Sequence, residues 1–307
     1  MSETRTAPEV VTLGECMAVL YPDEPVTLIE AESVLLDIAG AEANLAIGLS
    51  RLGHRASFIS RVGADSFGQR IRRVLDTEGV NCDHLLTDDG HPTGIFFREW
   101  LPDGMRRVLY YRRDSAASHL APEDLQPAAF FGARIVHLTG ITPALSKSCA
   151  AAVARAVQLA HDTGALVSFD PNYRAPLWEP AQARKVLLPL MEQADILLMG
   201  HEDVYALLGL ADDQLEKVAT TFQARITVLK RAEQGAWAFI DGERIEVPAY
   251  PVDKVVDPVG AGDAFNAGFL AGWLRGDSPQ EALKLGARMG AVVVSSLGDY
   301  AGLRELA

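Results

Sequence analysis

The arrangement in this chain with the most chemical content is an acid beside a glycine turn, in the stretch Asp257-Pro-Val-Gly-Ala-Gly-Asp263-Ala-Phe-Asn-Ala-Gly-Phe269. It follows the β-branched pair Val255-Val256, turns on Gly260 and Gly262, and opens a helix that is apolar nearly all round from Ala264 to Leu274. A glycine turn feeding a helix presents free N–H groups and the positive end of the helix dipole, which together make an anion site. Asp263 places a carboxylate at that same spot. Such an acid makes sense if it takes a proton from a nucleophile while the turn steadies a transferred phosphoryl group. Asp is equally a favoured helix N-cap, and the local residues leave both roles open.

Two further clusters hold candidate binding groups. Asp170-Pro-Asn-Tyr-Arg174 stands just past a strand, where ligands collect in open α/β sheets. Tyr110 and Arg112 are two apart on an extended run, so both project from one face, with Tyr111 and Arg113 on the other. Arginine forks suit carboxylates and phosphates better than neutral hydroxyls, so two of them near one site favour an acidic ligand. The plainer alternatives are a surface arginine at 174 and a charged sheet edge that discourages strand pairing at 112 and 113.

The Asp-x-x-Gly-Ala-Gly-Asp run resembles the signature of the PfkB (ribokinase-like) carbohydrate kinases. That resemblance implies Asp263 as catalytic base and Gly260, Ala261 and Gly262 as an anion hole for the γ-phosphate. Within that family the chain is most similar to the 2-keto-3-deoxygluconate kinases. The residues that carry this are Gly14-Glu-Cys-Met17, Ala39-Gly-Ala-Glu-Ala-Asn44, Arg61-Val-Gly-Ala-Asp65, Tyr110-Tyr-Arg112 with Ser115-Ala-Ala117, Leu138-Thr-Gly140 and Asp170-Pro-Asn-Tyr-Arg174. The resemblance implies that Gly40, Asn44, Tyr110, Arg112 and Arg174 bind the sugar acid. It also implies that Asn172, Lys230, Gly235, Gly260 and Gly262 serve the nucleotide, with Asn172 and Arg174 reaching both ligands. ATP and Mg²⁺ are the implied cofactors, with room for a monovalent cation, and Asp257 either organises cations or caps the turn.

Three departures from the family pattern stand out. Ala39 replaces the first of two glycines. Lys230-Arg-Ala-Glu-Gln-Gly235 has Ala232 where a glycine that supplies a positive φ is usual. Gly200-His-Glu-Asp203 falls where the family carries Asn-x-x-Glu, which leaves the protein contacts of magnesium unassigned.

These residues must be positioned by an α/β fold. The expected strands are Val10–Leu13, Arg55–Arg61, Ile135–Thr139, Leu166–Asp170, Asp195–Met199 and Ile226–Lys230, with a hairpin from Gly235–Ile240 and Arg244–Val247. Expected helices cover Ala39–Leu52, Ser66–Glu78, Ser146–His161, Pro180–Met191, Glu202–Leu208, Asp212–Gln223 and Pro279–Ser296. That alternation predicts a mostly parallel sheet with helices on both faces. Glu15–Asp37 and the hairpin Gly94–Trp100, Leu101-Pro-Asp-Gly104, Met105–Arg112 predict a small antiparallel lid. The chain is thus expected to be one ribokinase-like domain, 1–307, with lid segments at about 15–37 and 92–113. Apolar lid residues such as Phe96, Trp100 and Leu109 predict a homo-oligomer formed through the lid.

Composition narrows the partners. The chain has 307 residues, 49% of them hydrophobic and 22% charged, which is ordinary for a soluble protein. Its net charge of −13 argues against a nucleic-acid surface. No apolar run approaches the ~20 residues that span a bilayer. The polar, acid-containing start is no signal peptide, so a cytoplasmic location is expected. Cys16, Cys82 and Cys149 are scattered and odd in number, which disfavours a disulfide framework or a zinc site. The rival readings are a kinase for fructose or 2-keto-3-deoxygalactonate, and a non-catalytic nucleotide- or sugar-binding module. A Rossmann dehydrogenase is weak, because no Gly-x-Gly-x-x-Gly follows the first strand.

Overall fold

The computed structural model describes residues 7–102 and 105–302. Its strands in chain order are β1 (Val10–Leu13), β2 (Met17–Pro22), β3 (Val34–Ala39), β4 (Ala56–Gly63), β5 (Leu85–Asp88), β6 (Ile95–Trp100) and β7 (Arg106–Tyr111). They continue with β8 (Ile135–Thr139), β9 (Leu166–Asp170), β10 (Ile196–Gly200), β11 (Ile226–Lys230), β12 (Ala236–Ile240) and β13 (Glu243–Val247). The helices are α1 (Ala41–Arg51), α2 (Ser66–Thr77), α3 (Thr142–Leu145), α4 (Lys147–Thr163), α5 (Pro180–Glu192), α6 (His201–Leu208), α7 (Val218–Thr221), α8 (Ala261–Arg275) and α9 (Pro279–Val294).

The main sheet runs β13-β12-β11-β10-β9-β8-β1-β4-β5, parallel from β11 to β5 and closed at one edge by the antiparallel β12–β13 hairpin. Strands buried on both faces send alternate side chains to opposite sides. Ile196 and Leu198 of β10 join the apolar cluster that contains α1, α8 and α9, whereas Leu197 and Met199 join the cluster under α4 and α5. The sheet therefore separates two cores, with helices on both faces as predicted.

A second sheet, β3-β2-β6-β7, gathers the two excursions. Its register differs from the expected antiparallel one, because β2 and β6 run parallel. The cause is topological. Each is the first strand to leave the carboxyl end of a co-directed main-sheet strand, β1 and β5. Phe96, expected at an exposed edge, is instead buried with Met17, Val19, Tyr21 and Ala39. The Pro-Asp-Gly turn of the hairpin falls partly on Asp103 and Gly104, outside the described residues.

Two local expectations change. Ala39 ends β3 rather than beginning a helix, and α1 starts one residue after Gly40. Asp212–Gln223 is not one helix. It winds as a 3₁₀ segment over Asp212–Lys217 and then the single turn of α7, with only Leu215, Val218 and Phe222 as buried anchors. The short strand β5 carried too little alternation to be read.

Helix α8 is buried along most of its length and packs along α9 through small residues. A Cβ placed on Gly268 would lie 2.9 Å from Gly286 Cα and 2.7 Å from Met289 Cγ. Gly268→Val must push these helices apart. It is expected to lower unfolding stability by about 1–3 kcal/mol in a denaturant titration; an unchanged midpoint would contradict this packing.

Candidate active site

Strand β1 lies between β4, which follows it on one side, and β8, which starts the series on the other. The strand order reverses there, and the carboxyl ends of β1 and β8 open a crevice suited to a ligand. Helix α1 enters at this point. Glu42 Oε1 accepts hydrogen bonds from Thr139 Oγ1 and Thr142 Oγ1, both at 2.7 Å, and fixes the helix start against the end of β8. Burial raises the pKa of the Glu42 carboxyl. Gly40 precedes the helix and lies so close to the backbone of Glu15 that a Cβ would collide with that carbonyl oxygen.

Helix α8 points its N-terminus into the same crevice. Gly260 caps it with φ +83, and a side chain there would strike the Asp299 carbonyl. The first intrahelical bond runs from Ala264 N to Gly260 O, so the amides of Gly262 and Asp263 have no intrahelical acceptor. The Asp263 side chain does not cap its own helix. Its Oδ2 accepts a hydrogen bond from Asn44 Nδ2 of α1 at 2.9 Å. Burial dominates its titration and pushes the pKa up to about 7, against the opposing pull of Asn44, Arg174 and Lys230. The alternative left open by local sequence is thereby decided against an N-cap role.

Beside Asp263 lies a buried polar network. Lys230 Nζ, at the end of β11, donates to Asp170 Oδ2 at 2.6 Å and to Asn266 Oδ1 at 3.1 Å. Asn266 Nδ2 donates to the same Asp170 oxygen at 2.6 Å. Lys230 and these hydrogen bonds outweigh burial and hold the Asp170 carboxyl below its usual range. A Cβ on Gly262 would be 3.6 Å from Lys230 Nζ, so the ammonium group adjoins the Gly260–Gly262 turn. Asn172 is buried with φ +39, its N–H bonded to Asp170 Oδ1 at 3.0 Å. Arg174 is exposed, yet close enough to act on Asp263 electrostatically.

The two loop departures have structural answers. Ala232 keeps the left-handed turn that glycine would supply, at φ +48, and Gly235 follows at φ +86 against the Val247 carbonyl. The turn survives at the cost of about 1–2 kcal/mol of strain at alanine. Asp203 accepts from Gly200 N at 3.0 Å and Tyr173 N at 2.9 Å, capping α6 and pinning the 170–174 loop. Burial, with Asp170 nearby, raises its pKa to about 6.

On the small sheet, Tyr110 and Arg112 do share a face. The Arg112 guanidinium stands 5.5 Å from the Tyr110 ring centroid, while Tyr111 packs on Phe97 of the opposite side. Arg112 is not free, however. Its Nη2 meets Glu15 Oε2, and Glu15 Oε1 accepts from Ser115 Oγ at 2.5 Å. Arg112 Nε has no hydrogen-bond partner among the described residues.

The structure thus brings Asp263, Gly260, Ala261, Gly262, Asn44 and Lys230 around one helix start, with Gly40, Asn172 and Arg174 on its flanks. Gly235 shapes the loop after Lys230 without touching this cluster itself. Sequence reasoning did not select Glu15, Glu42, Asp170 or Asn266. Asn266 was accessible, since it lies three residues beyond Asp263 on one helix face. Asp257 caps the turn through Val259 N at 3.1 Å and pairs with Arg98, so a protein cation already meets its charge.

The raised pKa of Asp263 has a consequence for stability. An acid whose folded pKa exceeds its unfolded value destabilises the fold above that unfolded value, and the penalty is complete above about 7. Asp263→Asn keeps the oxygen that faces Asn44 and removes the charge. The variant is expected to unfold at a higher temperature than the parent at pH 8, with the gap closing as pH falls towards 4. Equal melting temperatures at pH 8 would show that the carboxylate is not strained by its surroundings.

The family model for pfkB family carbohydrate kinases matches residues 7–306. A 2-dehydro-3-deoxygluconokinase of Bacillus subtilis is 36% identical over 311 residues, covering 96% of this chain and 92% of that one. A 2-dehydro-3-deoxygalactonokinase of Haloferax volcanii is 33% identical, covering 95% and 93%. A probable fructokinase of Arabidopsis thaliana is 31% identical, covering 85% and 81%. Among solved structures, 2-dehydro-3-deoxygluconokinase from Thermotoga maritima superposes with a TM-score of 0.91 at 29% identity, covering 99% and 98%. A putative ribokinase II from E. coli in complex with ATP and Mg²⁺ gives 0.87 at 25%, covering 97% of each chain. The chain is a ribokinase-like protein that belongs to the pfkB family of carbohydrate kinases.

Proposed function

We propose that this kinase transfers the γ-phosphoryl group of ATP to the terminal hydroxyl of 2-keto-3-deoxygluconate, the sugar acid that the Bacillus relative's name gives as 2-dehydro-3-deoxygluconate. The observation that carries the proposal is the carboxylate of Asp263, raised towards neutrality at a helix start whose amides have no intrahelical acceptor. A base of that pKa is matched to removing a hydroxyl proton near pH 7. As the hydroxyl oxygen bonds to phosphorus, the bond to the β-phosphate oxygen breaks, ADP leaves and the proton passes to Asp263. The amides around Gly260–Gly262 and the Lys230 ammonium stabilise charge on the moving group. Asn44 orients the base. Mg²⁺ would supply charge neutralisation on the ATP oxygens. Asp170 and Asp203 fit an outer role towards it, since both are held by protein donors and hard cations on ATP take most ligands from phosphates and water.

Arg112, Tyr110 and Arg174 would orient the substrate and favour its carboxylate, with Gly40 giving room beside α1. The small sheet would act as a lid that excludes water from the site. Its exposed Val34, Leu35, Met105 and Tyr111 would be covered by a second copy of the chain. One observation favours a second reading. Glu15 already engages Arg112, and a carboxylate in that place accepts hydroxyls, as a neutral sugar such as fructose offers. The C4 epimer, 2-keto-3-deoxygalactonate, keeps every group used in the first reading.

ADP release with Mg²⁺ over a sugar panel separates these. We expect turnover on 2-keto-3-deoxygluconate, lowered at least about a hundredfold by Asp263→Asn. Below pH 7 its kcat/KM should fall about tenfold per unit as Asp263 protonates, and level off above. Arg112→Ala should raise KM for the sugar acid and leave any fructose turnover in place. Turnover on fructose alone sinks the substrate assignment, and ATP consumption on no sugar sinks the catalytic reading.

A further inference from the structure

The small sheet meets the anion-hole turn through one buried guanidinium. Arg98 lies mid-strand on β6 and is 0% exposed. Its Nη1 is 3.0 Å from Asp257 Oδ2 and 2.9 Å from Asp299 Oδ1, and its guanidinium stands 4.8 Å from the Tyr21 ring centroid. Both acids are also buried, and both touch the turn. Asp257 Oδ1 accepts from Val259 N, and the Asp299 carbonyl oxygen is the atom against which Gly260 packs. Arg106 of β7 adds a second link, donating through Nη2 to the Val256 carbonyl.

Stability alone does not account for such a cluster. A guanidinium and two carboxylates taken out of water are commonly no better for stability than apolar side chains of similar volume. Arg98 Nε and Nη2 find no hydrogen-bond acceptor among the described residues, so the group is not optimised as a structural ion pair. What the cluster supplies is geometry, because one rigid strand holds an anchor on each side of Gly260. The next strand in the same small sheet, β7, carries Tyr110 near its end and leads directly into Arg112.

We propose that Arg98 is a positioning residue for phosphoryl transfer. Through Asp257 and Asp299 it holds the Gly260–Gly262 turn in the shape that receives the transferring group, and it ties that shape to the docking of the small sheet. The inference rests on the phosphoryl-transfer reading above, and it concerns a residue that touches neither substrate.

The test compares the full-length parent with Arg98→Lys, Asp299→Asn and, as control, Arg107→Ala, which removes an exposed small-sheet cation paired with Glu99. Thermal unfolding, kcat, KM for each substrate, and affinity for Mg·ADP with and without aluminium fluoride are measured. Arg98→Lys is expected to bind ADP within about twofold of the parent but the ADP–aluminium fluoride mimic at least about tenfold more weakly. Its kcat should fall by a similar factor with KM for the sugar acid nearly unchanged, and Arg107→Ala should match the parent. Asp299→Asn, isosteric and expected to fold, should show the same pattern at smaller size and decides the matter if Arg98→Lys loses its cooperative transition. A folded variant that keeps kcat and affinity for the mimic, or whose loss lies wholly in KM, overturns the proposal. A parent that turns over no sugar sinks the substrate reading and leaves the mimic-to-ADP affinity ratio to decide the role of Arg98.

Discussion

A hydrogen bond of 2.9 Å, from Asn44 Nδ2 to Asp263 Oδ2, joins two helices whose N-termini enter one crevice from positions 219 residues apart. It fixes where the Asp263 carboxyl stands relative to the starts of α1 and α8. Each helix is brought in by a glycine that admits no side chain, Gly40 against Glu15 and Gly260 against Asp299. The crevice itself exists because the sheet changes direction beside β1. Topology makes the space, close backbone approach narrows it, and the hydrogen bond aims the carboxylate.

The electrostatics of the site separate two aspartates that share it. Asp170 is paired with Lys230 and Asn266 and stays ionised, whereas Asp263 has one neutral donor and is raised towards neutrality by burial. Two carboxyls with divergent environments can hold different protonation states, one as a fixed anchor and one as an exchanger of protons. Lys230 serves both, since it neutralises Asp170 and extends towards the turn that would take the phosphoryl group. Two arginines of the small-sheet segments are likewise held by acids, Arg112 by Glu15 and Arg98 by Asp257 and Asp299.

Much of this was readable from residue types in order. Strand–helix alternation with apolar runs produced the doubly covered sheet, and four strands have the expected bounds, β1, β8, β9 and β11. The Gly-Ala-Gly-Asp run located the helix start and the acid. What sequence could not show was pairing between distant segments. Nothing local distinguishes Arg98 from any charged strand residue, because its partners lie at positions 257 and 299. The parallel register of β2 and β6 follows from where both strands leave the main sheet, which no period of two reveals. Ala232 looked like a lost glycine, yet the loop retains its left-handed turn because the hydrogen bonds of Arg231 and Gly235 close around it.

Burial pushes the pKa of the Asp263 carboxyl up to about 7, where a base for a hydroxyl proton would need it. The most direct measurement is the titration of its carboxyl carbon by ¹³C NMR in the free protein, assigned through Asp263→Asn. A midpoint of about 7 is expected, coincident with the acid limb of kcat/KM. A midpoint near 4, the value of an exposed aspartate, would contradict it.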